Sequence, residues 1–158
     1  MDKIEELVAE LKARKLTLAT AESCTGGLLG KQITDISGAS AVYPGGVISY
    51  SNAVKRRLLD VAQEDLDAYG AVSEPVARQM AEGVRKTIPA DIGVGITGIA
   101  GPKSDDTCKP VGLVWISASS DAGTIVREFH FDGSRGEIRA QSAAAAAGFA
   151  LELLKRED

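Results

Sequence analysis

The chain has 158 residues, with 18 Lys and Arg against 22 Asp and Glu for a net charge of −4, 44% hydrophobic and 25% charged residues. That length suits one domain whose core folds without staples, and the composition excludes disordered and fibrous classes. The acidic balance argues against non-specific nucleic-acid or membrane binding. The longest apolar run, 143–151, is far below the ~18 residues that span a bilayer, and the charged start 1–6 does not read as a signal peptide. Two cysteines, Cys24 and Cys108, cannot make a disulfide framework or a four-ligand zinc site, so a cytoplasmic protein is expected.

Ile4, Leu7, Val8 and Leu11 recur at helical spacing, and Glu10 and Arg14 pair across one turn, predicting an amphipathic first helix. The short apolar run 16–21 reads as a strand. After Glu22-Ser23-Cys24-Thr25-Gly26-Gly27, the residues Leu28, Leu29, Ile33 and Ile36 mark a second helix that Gly38 stops. Gly45 and Gly46 open a second strand over 47–50. Asn52 is a candidate cap for a helix carrying Val54, Leu58 and Leu59. A short helix over 65–69 ends at Gly70. Ser73 caps a longer one, with Pro75 in its first turn and Val76, Met80, Val84 and Ile88 on one face.

Residues 91–97 read as a third strand and 98–110 as a loop. Two further strands, 111–117 and 124–131, form a hairpin through 119–123. Ser134 caps a last helix running to about 155. Helices alternate with strands early and a hairpin comes late. That order predicts a single three-layer α/β/α domain over 1–158, with a mostly parallel mixed sheet and a late antiparallel hairpin.

Gly93-Val94-Gly95-Ile96-Thr97-Gly98 spells the dinucleotide-binding G-x-G-x-x-G, but its first half lies inside a strand and a loop follows instead of a helix. No acidic residue stands near the expected ~20 positions on. Gly93 and Gly95 are better read as letting a helix approach the sheet.

Ser23 is expected at the C-terminal end of a strand just before a helix, the edge where α/β folds place ligands. Helix N-termini offer free N–H groups and partial positive charge, and Gly26 and Gly27 allow close approach. Ser23 there is either a nucleophile with an oxyanion site beside it or a plain helix cap; Cys24 is the rival nucleophile. His130, the single histidine, alternates with phenylalanines on a charged strand face and reads as a surface residue. A Ser-His-Asp triad is therefore not expected, and lysine is the next base to consider. Tyr50-Ser51-Asn52-Ala53-Val54-Lys55 runs from a strand end into a helix on the same edge. Lys55 is either that base or a solvated lysine beside Arg56 and Arg57. The Ser-x-x-Lys and Lys-Thr-Gly signatures of β-lactamase-like enzymes are absent. Thr97-Gly98-Ile99-Ala100-Gly101-Pro102 points at the same edge. Arg135 and Arg139, one turn apart at the start of the last helix, form either an anion-binding pair or an exposed face.

Five ordered blocks carry a resemblance: residues 20–27, Gly45-Gly46 with Tyr50-Ser51-Asn52 and Lys55, Gly70-Ala71-Val72-Ser73, residues 97–102, and Lys109-Pro110-Val111-Gly112. Together they resemble the C-terminal domain of the competence/damage-inducible CinA family, over about 16–154. That family includes stand-alone nicotinamide-nucleotide amidohydrolases. The resemblance implies hydrolysis of the carboxamide of nicotinamide mononucleotide (NMN) to nicotinate mononucleotide and ammonia, in pyridine-nucleotide recycling. It implies Ser23 as nucleophile, Lys55 as base and Tyr50 as their partner; no cofactor is expected, and with one His and two Cys in the chain no metal is expected either. Cys24, Thr25, Gly26, Gly27, Thr97, Gly98, Ala100 and Gly101 would bind substrate, and Arg135, with Arg139 second, would take the phosphate. The expected partner is the small nucleotide, with no nucleic acid and no membrane; a homo-oligomer is compatible with the chain. One departure stands out: the family often carries glycines where this chain has Lys103-Ser104-Asp105-Asp106-Thr107-Cys108, and the carboxylates would repel a phosphate. The N-terminal domain of longer CinA proteins has no counterpart here, so its pyrophosphatase activity is not carried over. Two alternatives remain: a non-catalytic nucleotide-binding module, and a serine amidase for another pyridine carboxamide.

Overall fold

The computed structural model describes residues 1–104 and 107–158. In chain order they form α1 (Lys3–Arg14), β1 (Leu18–Glu22), α2 (Leu28–Thr34), a 3-10 turn (Ala39–Ala41), β2 (Gly45–Ile48), α3 (Asn52–Leu59), α4 (Gln63–Tyr69), α5 (Glu74–Thr87), β3 (Ile92–Gly98), β4 (Leu113–Ser120), β5 (Gly123–His130) and α6 (Arg135–Arg156). The sheet order is β2-β1-β3-β4-β5. β1 pairs in parallel with β2 and β3, while β3–β4 and β4–β5 are antiparallel. The expected α/β architecture is therefore present, with its parallel half first and its antiparallel half last.

Period-two alternation on β1 divides the layers. Leu18 joins the apolar cluster under α1, α2 and α6, whereas Ala19 and Ala21 join the cluster under α3, α4 and α5. On β3, Val94 and Ile96 face the first layer. Gly93 and Gly95 lie against α5: a Cβ at Gly93 would stand 2.2 Å from the Ala81 carbonyl oxygen, and one at Gly95 3.0 Å from that of Ala77. Main chain thus meets main chain, the close helix approach expected of Gly93 and Gly95.

Local chemistry shifts several boundaries. Ser51, not Asn52, caps α3, its Oγ accepting from the Val54 N–H at 3.2 Å. Ser73 holds the N-cap position of α5, but its hydroxyl turns back and donates to the Gly70 carbonyl at 2.8 Å. Ser134 makes a full capping box with Glu137 at the start of α6. β4 runs on to Ser120, because the hairpin turns on Asp121 and Ala122 alone, with Gly123 at φ +142°.

Candidate active site

The alternation of β1 continues one step past its end. Ala19 and Ala21 face α3 and α5, and Ser23 follows them by the same period, while Glu22 faces α2. The strand is anchored there by the Ser23 N–H, which donates to the Ile96 carbonyl at 2.9 Å. Residues 23–27 form a tight turn, with Gly26 at φ +57° and Gly27 at +102°, a left-handed region costly for residues with a Cβ. Gly27, not Ser23, occupies the N-cap position of α2 and has no side chain to cap with. Glu22 does the capping: its two carboxylate oxygens accept from Leu29 N–H at 2.9 Å and Gly30 N–H at 3.0 Å. The Ser23 hydroxyl is left for other work.

That hydroxyl meets Lys55. On α3, Lys55 and Leu59 are one turn apart and share the buried face; Leu59 enters the core, and Lys55 reaches the site. The lysine is 1% exposed and Ser23 8%. Lys55 Nζ lies 2.9 Å from Ser23 Oγ, 2.7 Å from the Ser49 carbonyl oxygen and 3.4 Å from that of Tyr50. No carboxylate pairs with this amine among the described residues. Burial pulls its pKa down from 10.5 to about 8, against a weaker opposing effect of Cys24. In the neutral amine the two carbonyls can only accept, so they take its two N–H groups. The lone pair is then directed at the remaining partner, the Ser23 O–H. The candidate nucleophile and the candidate base thus stand within hydrogen-bond reach.

Ser23, Cys24, Tyr50, Asn52, Lys55, Ala71, Val72, Thr97, Gly98, Ala100 and Arg135 line one cavity of about 180 Å³. Cys24 is buried beside the serine, and desolvation pushes its thiol up to about 11, so it stays protonated near neutrality. Thr97 donates from its hydroxyl to the Ala71 carbonyl at 2.9 Å, bracing the opposite wall. Lys109 braces the same wall, its amine donating to the Tyr69 and Val72 carbonyls. Arg135 opens α6 at the cavity mouth. It donates to the Gly101 carbonyl at 2.6 Å and to the Tyr50 hydroxyl at 3.1 Å.

Other expected site residues lie elsewhere. Thr25 is wholly buried, and it, Gly26 and Gly101 do not line the cavity. Gly27 lines a separate cleft of about 210 Å³ with Glu22, Tyr43 and Ile48. Tyr50 is 63% exposed and its phenol meets Arg135, not the amine; only its carbonyl touches Lys55. Arg139 points its guanidinium at the carbonyls of Cys24 and Thr25. His130 sits exposed on β5 against Glu128, three strands from β1 in the sheet. Among the described residues no cluster of three or more His, Cys, Asp or Glu is arranged to hold a metal ion. Asp105 and Asp106, on which the expected repulsion of a phosphate rested, lie outside the described residues.

Sequence reasoning missed Glu22, Ser49 and Lys109. Glu22 had a signal: a carboxylate at the last strand position, facing the layer of the next helix, seven residues ahead of an N–H it can cap.

Comparison with known proteins bears on the whole chain. The family model described as the CinA C-terminal domain matches residues 1–157. A CinA-like protein of Gemmatimonas aurantiaca is 49% identical over 150 residues, covering 95% of this chain and 34% of that protein. One from Acaryochloris marina is 49% identical over 157 residues, covering 98% and 36%. The chain therefore spans about a third of the length of these relatives. Among solved structures, the competence/damage-inducible protein CihA of Agrobacterium tumefaciens superposes with a TM-score of 0.91 at 38% identity, covering 97% of this chain and 96% of that one. A CinA-superfamily protein of Klebsiella pneumoniae gives 0.93 at 33% identity, covering 99% of each. With its fold, its ordered motifs and its full span matched, this chain belongs to the CinA C-terminal domain family.

Proposed function

We propose that the chain is a serine amidohydrolase acting on the carboxamide of NMN. The observation that carries this reading is the buried Lys55 amine, 2.9 Å from the Ser23 hydroxyl and held by two carbonyls that leave its lone pair for the serine. In the first half-reaction Ser23 Oγ bonds to the carboxamide carbon while its proton passes to Lys55 Nζ. The C–N bond then breaks, the Lys55 ammonium returns that proton to the leaving nitrogen, and ammonia departs. In the second half water attacks the ester, Lys55 takes its proton, and Ser23 leaves with the proton restored as the nicotinate is released. The N–H groups of Cys24 and Thr25, which follow Ser23 directly and donate to no backbone carbonyl among the described residues, would serve as the oxyanion donors. Arg135, at the cavity mouth, keeps N–H groups for a phosphate beyond those it gives to Gly101 and Tyr50.

The test is ammonia and nicotinate mononucleotide release from NMN by purified protein, with Ser23→Ala as control. Equal stoichiometric products in the wild type and none in Ser23→Ala support the reading. Tight NMN binding without ammonia would favour a nucleotide-binding module instead. Faster release from nicotinamide than from NMN would move the substrate to a pyridine carboxamide without a phosphate.

A further inference from the structure

Arg139 follows Arg135 by one turn of α6, but it serves the serine turn and not the cavity. Its Nε donates to the Cys24 carbonyl at 3.1 Å and its Nη2 to the Thr25 carbonyl at 2.9 Å. These two N–H groups lie parallel along one edge of a rigid planar fork, so a single side chain holds two successive peptide groups. Gly26 makes room for it: a Cβ there would stand 3.2 Å from Arg139 Nη2.

The consequence follows from the planar trans peptide, whose C=O and N–H point in opposite directions. Drawing the Cys24 carbonyl toward α6 turns the Thr25 N–H away from α6. Drawing the Thr25 carbonyl the same way orients the Gly26 N–H, which donates to the Ser23 carbonyl at 3.1 Å. No side chain of the turn offers a substitute tie: the Thr25 hydroxyl is buried without a hydrogen-bond partner, and the next two residues are glycines. Between the Ser23 N–H bond to Ile96 and the capping of α2 by Glu22, the guanidinium is the side-chain restraint on these peptide planes.

We propose that Arg139 is a positioning residue: it sets the backbone beside Ser23, and with it the geometry of nucleophile and oxyanion donors, instead of gripping the substrate phosphate. This rests on the amidohydrolase reading. Arg139→Lys keeps the charge but replaces the fork by a single point, and Arg139→Met removes both. Both should lower kcat for NMN by about 100-fold, the scale of an ångström misplacement, with KM little changed. Millimolar guanidinium should partly restore Arg139→Met, and methylammonium should not. Independently of any turnover, amide hydrogen exchange at Gly26 and Leu28, whose N–H groups donate to the Ser23 and Thr25 carbonyls at 3.1 and 3.0 Å, should speed by about tenfold or more in both variants, with β1 and α6 unchanged, as local opening would predict. A raised KM with kcat retained, or unchanged exchange in the turn, overturns the proposal. Absence of ammonia release from the wild type would instead defeat the amidohydrolase reading, and the exchange measurement would still decide the role of Arg139.

Discussion

Replacing Lys55 with arginine separates a base from a charge. Burial lowers the lysine from 10.5 to about 8, a difference of about 3 kcal/mol at ~1.36 kcal/mol per unit. At pH 7 an amine of pKa 8 is neutral in about one molecule in ten, against about one in three thousand at 10.5. The fold thus raises the neutral fraction of this amine by about 300-fold. The sign is set by the neutral form being active: kcat/KM should climb about tenfold per pH unit up to about 8 and level off above it. Arginine stays protonated throughout this range, so Lys55→Arg should lose at least about a thousandfold at every pH, as should Lys55→Met. The assay is chromatographic quantitation of nicotinate mononucleotide from pH 6 to 10, with circular dichroism to verify folding. The same depression makes a stability statement. Between about pH 8 and 10.5 the unfolded chain holds a proton that the folded one has released, so stability rises with pH through that window. Below it the burial cost stands in full. A flat pH profile, or near-normal turnover in folded Lys55→Arg, would show that Lys55 acts only as a cation and would refute the reasoning.

Three further outcomes are expected. Ser23→Ala should reduce turnover by orders of magnitude, whereas Cys24→Ala should keep most of it; iodoacetamide at pH 7 should label exposed Cys108 well before buried Cys24, whose thiol is held up to about 11, as peptide mapping would reveal. Arg135→Ala should raise KM for NMN by about tenfold or more, the worth of a charge-assisted contact, and leave KM for the unphosphorylated riboside nearly unchanged; parallel titrations of both substrates check it. Gly93→Ala should cost about 1–3 kcal/mol and several degrees in Tm by calorimetry, because its Cβ would fall 2.2 Å from the Ala81 carbonyl oxygen on α5.

The legible parts of the molecule were those written in local pattern. Helical spacing marked α1, α2 and α5, the Ser134 cap marked the start of α6, and the Gly93/Gly95 pair announced a close helix. Strand alternation could also have been carried past β1 to predict that Ser23 faces the α3 layer. What escaped was set by partners far away in the chain. Nothing near Tyr50 says that its phenol goes to Arg135, 85 positions on, while its carbonyl goes to Lys55. Nothing near Arg139 says that it holds carbonyls 115 and 114 residues back. The i,i+4 spacing of the two arginines suggested a shared task, but the helix advances by one turn between them, enough to place one at the mouth and the other behind the serine turn. Helix caps escaped for a related reason: Glu22 caps α2 from outside the usual N-cap position, so the rule that looks for Ser, Thr, Asp or Asn there found only glycine.

The cavity draws its floor and its walls from different kinds of chain. Ser23 is tied to a central strand and Lys55 to a helix face anchored by Leu59, both continuous with the core. The walls come from Tyr50 after β2 and Asn52 at the start of α3, Ala71 and Val72 between α4 and α5, Gly98 at the end of β3 with Ala100 beyond it, and the first residue of α6. Connecting segments tolerate insertion and replacement far better than packed elements do. Under mutation, the choice of what enters is therefore free to drift by loop exchange alone. The two positions that would cut an amide are fixed instead by backbone that belongs to the sheet and to a packed helix, so such an exchange leaves Ser23 and Lys55 where they stand.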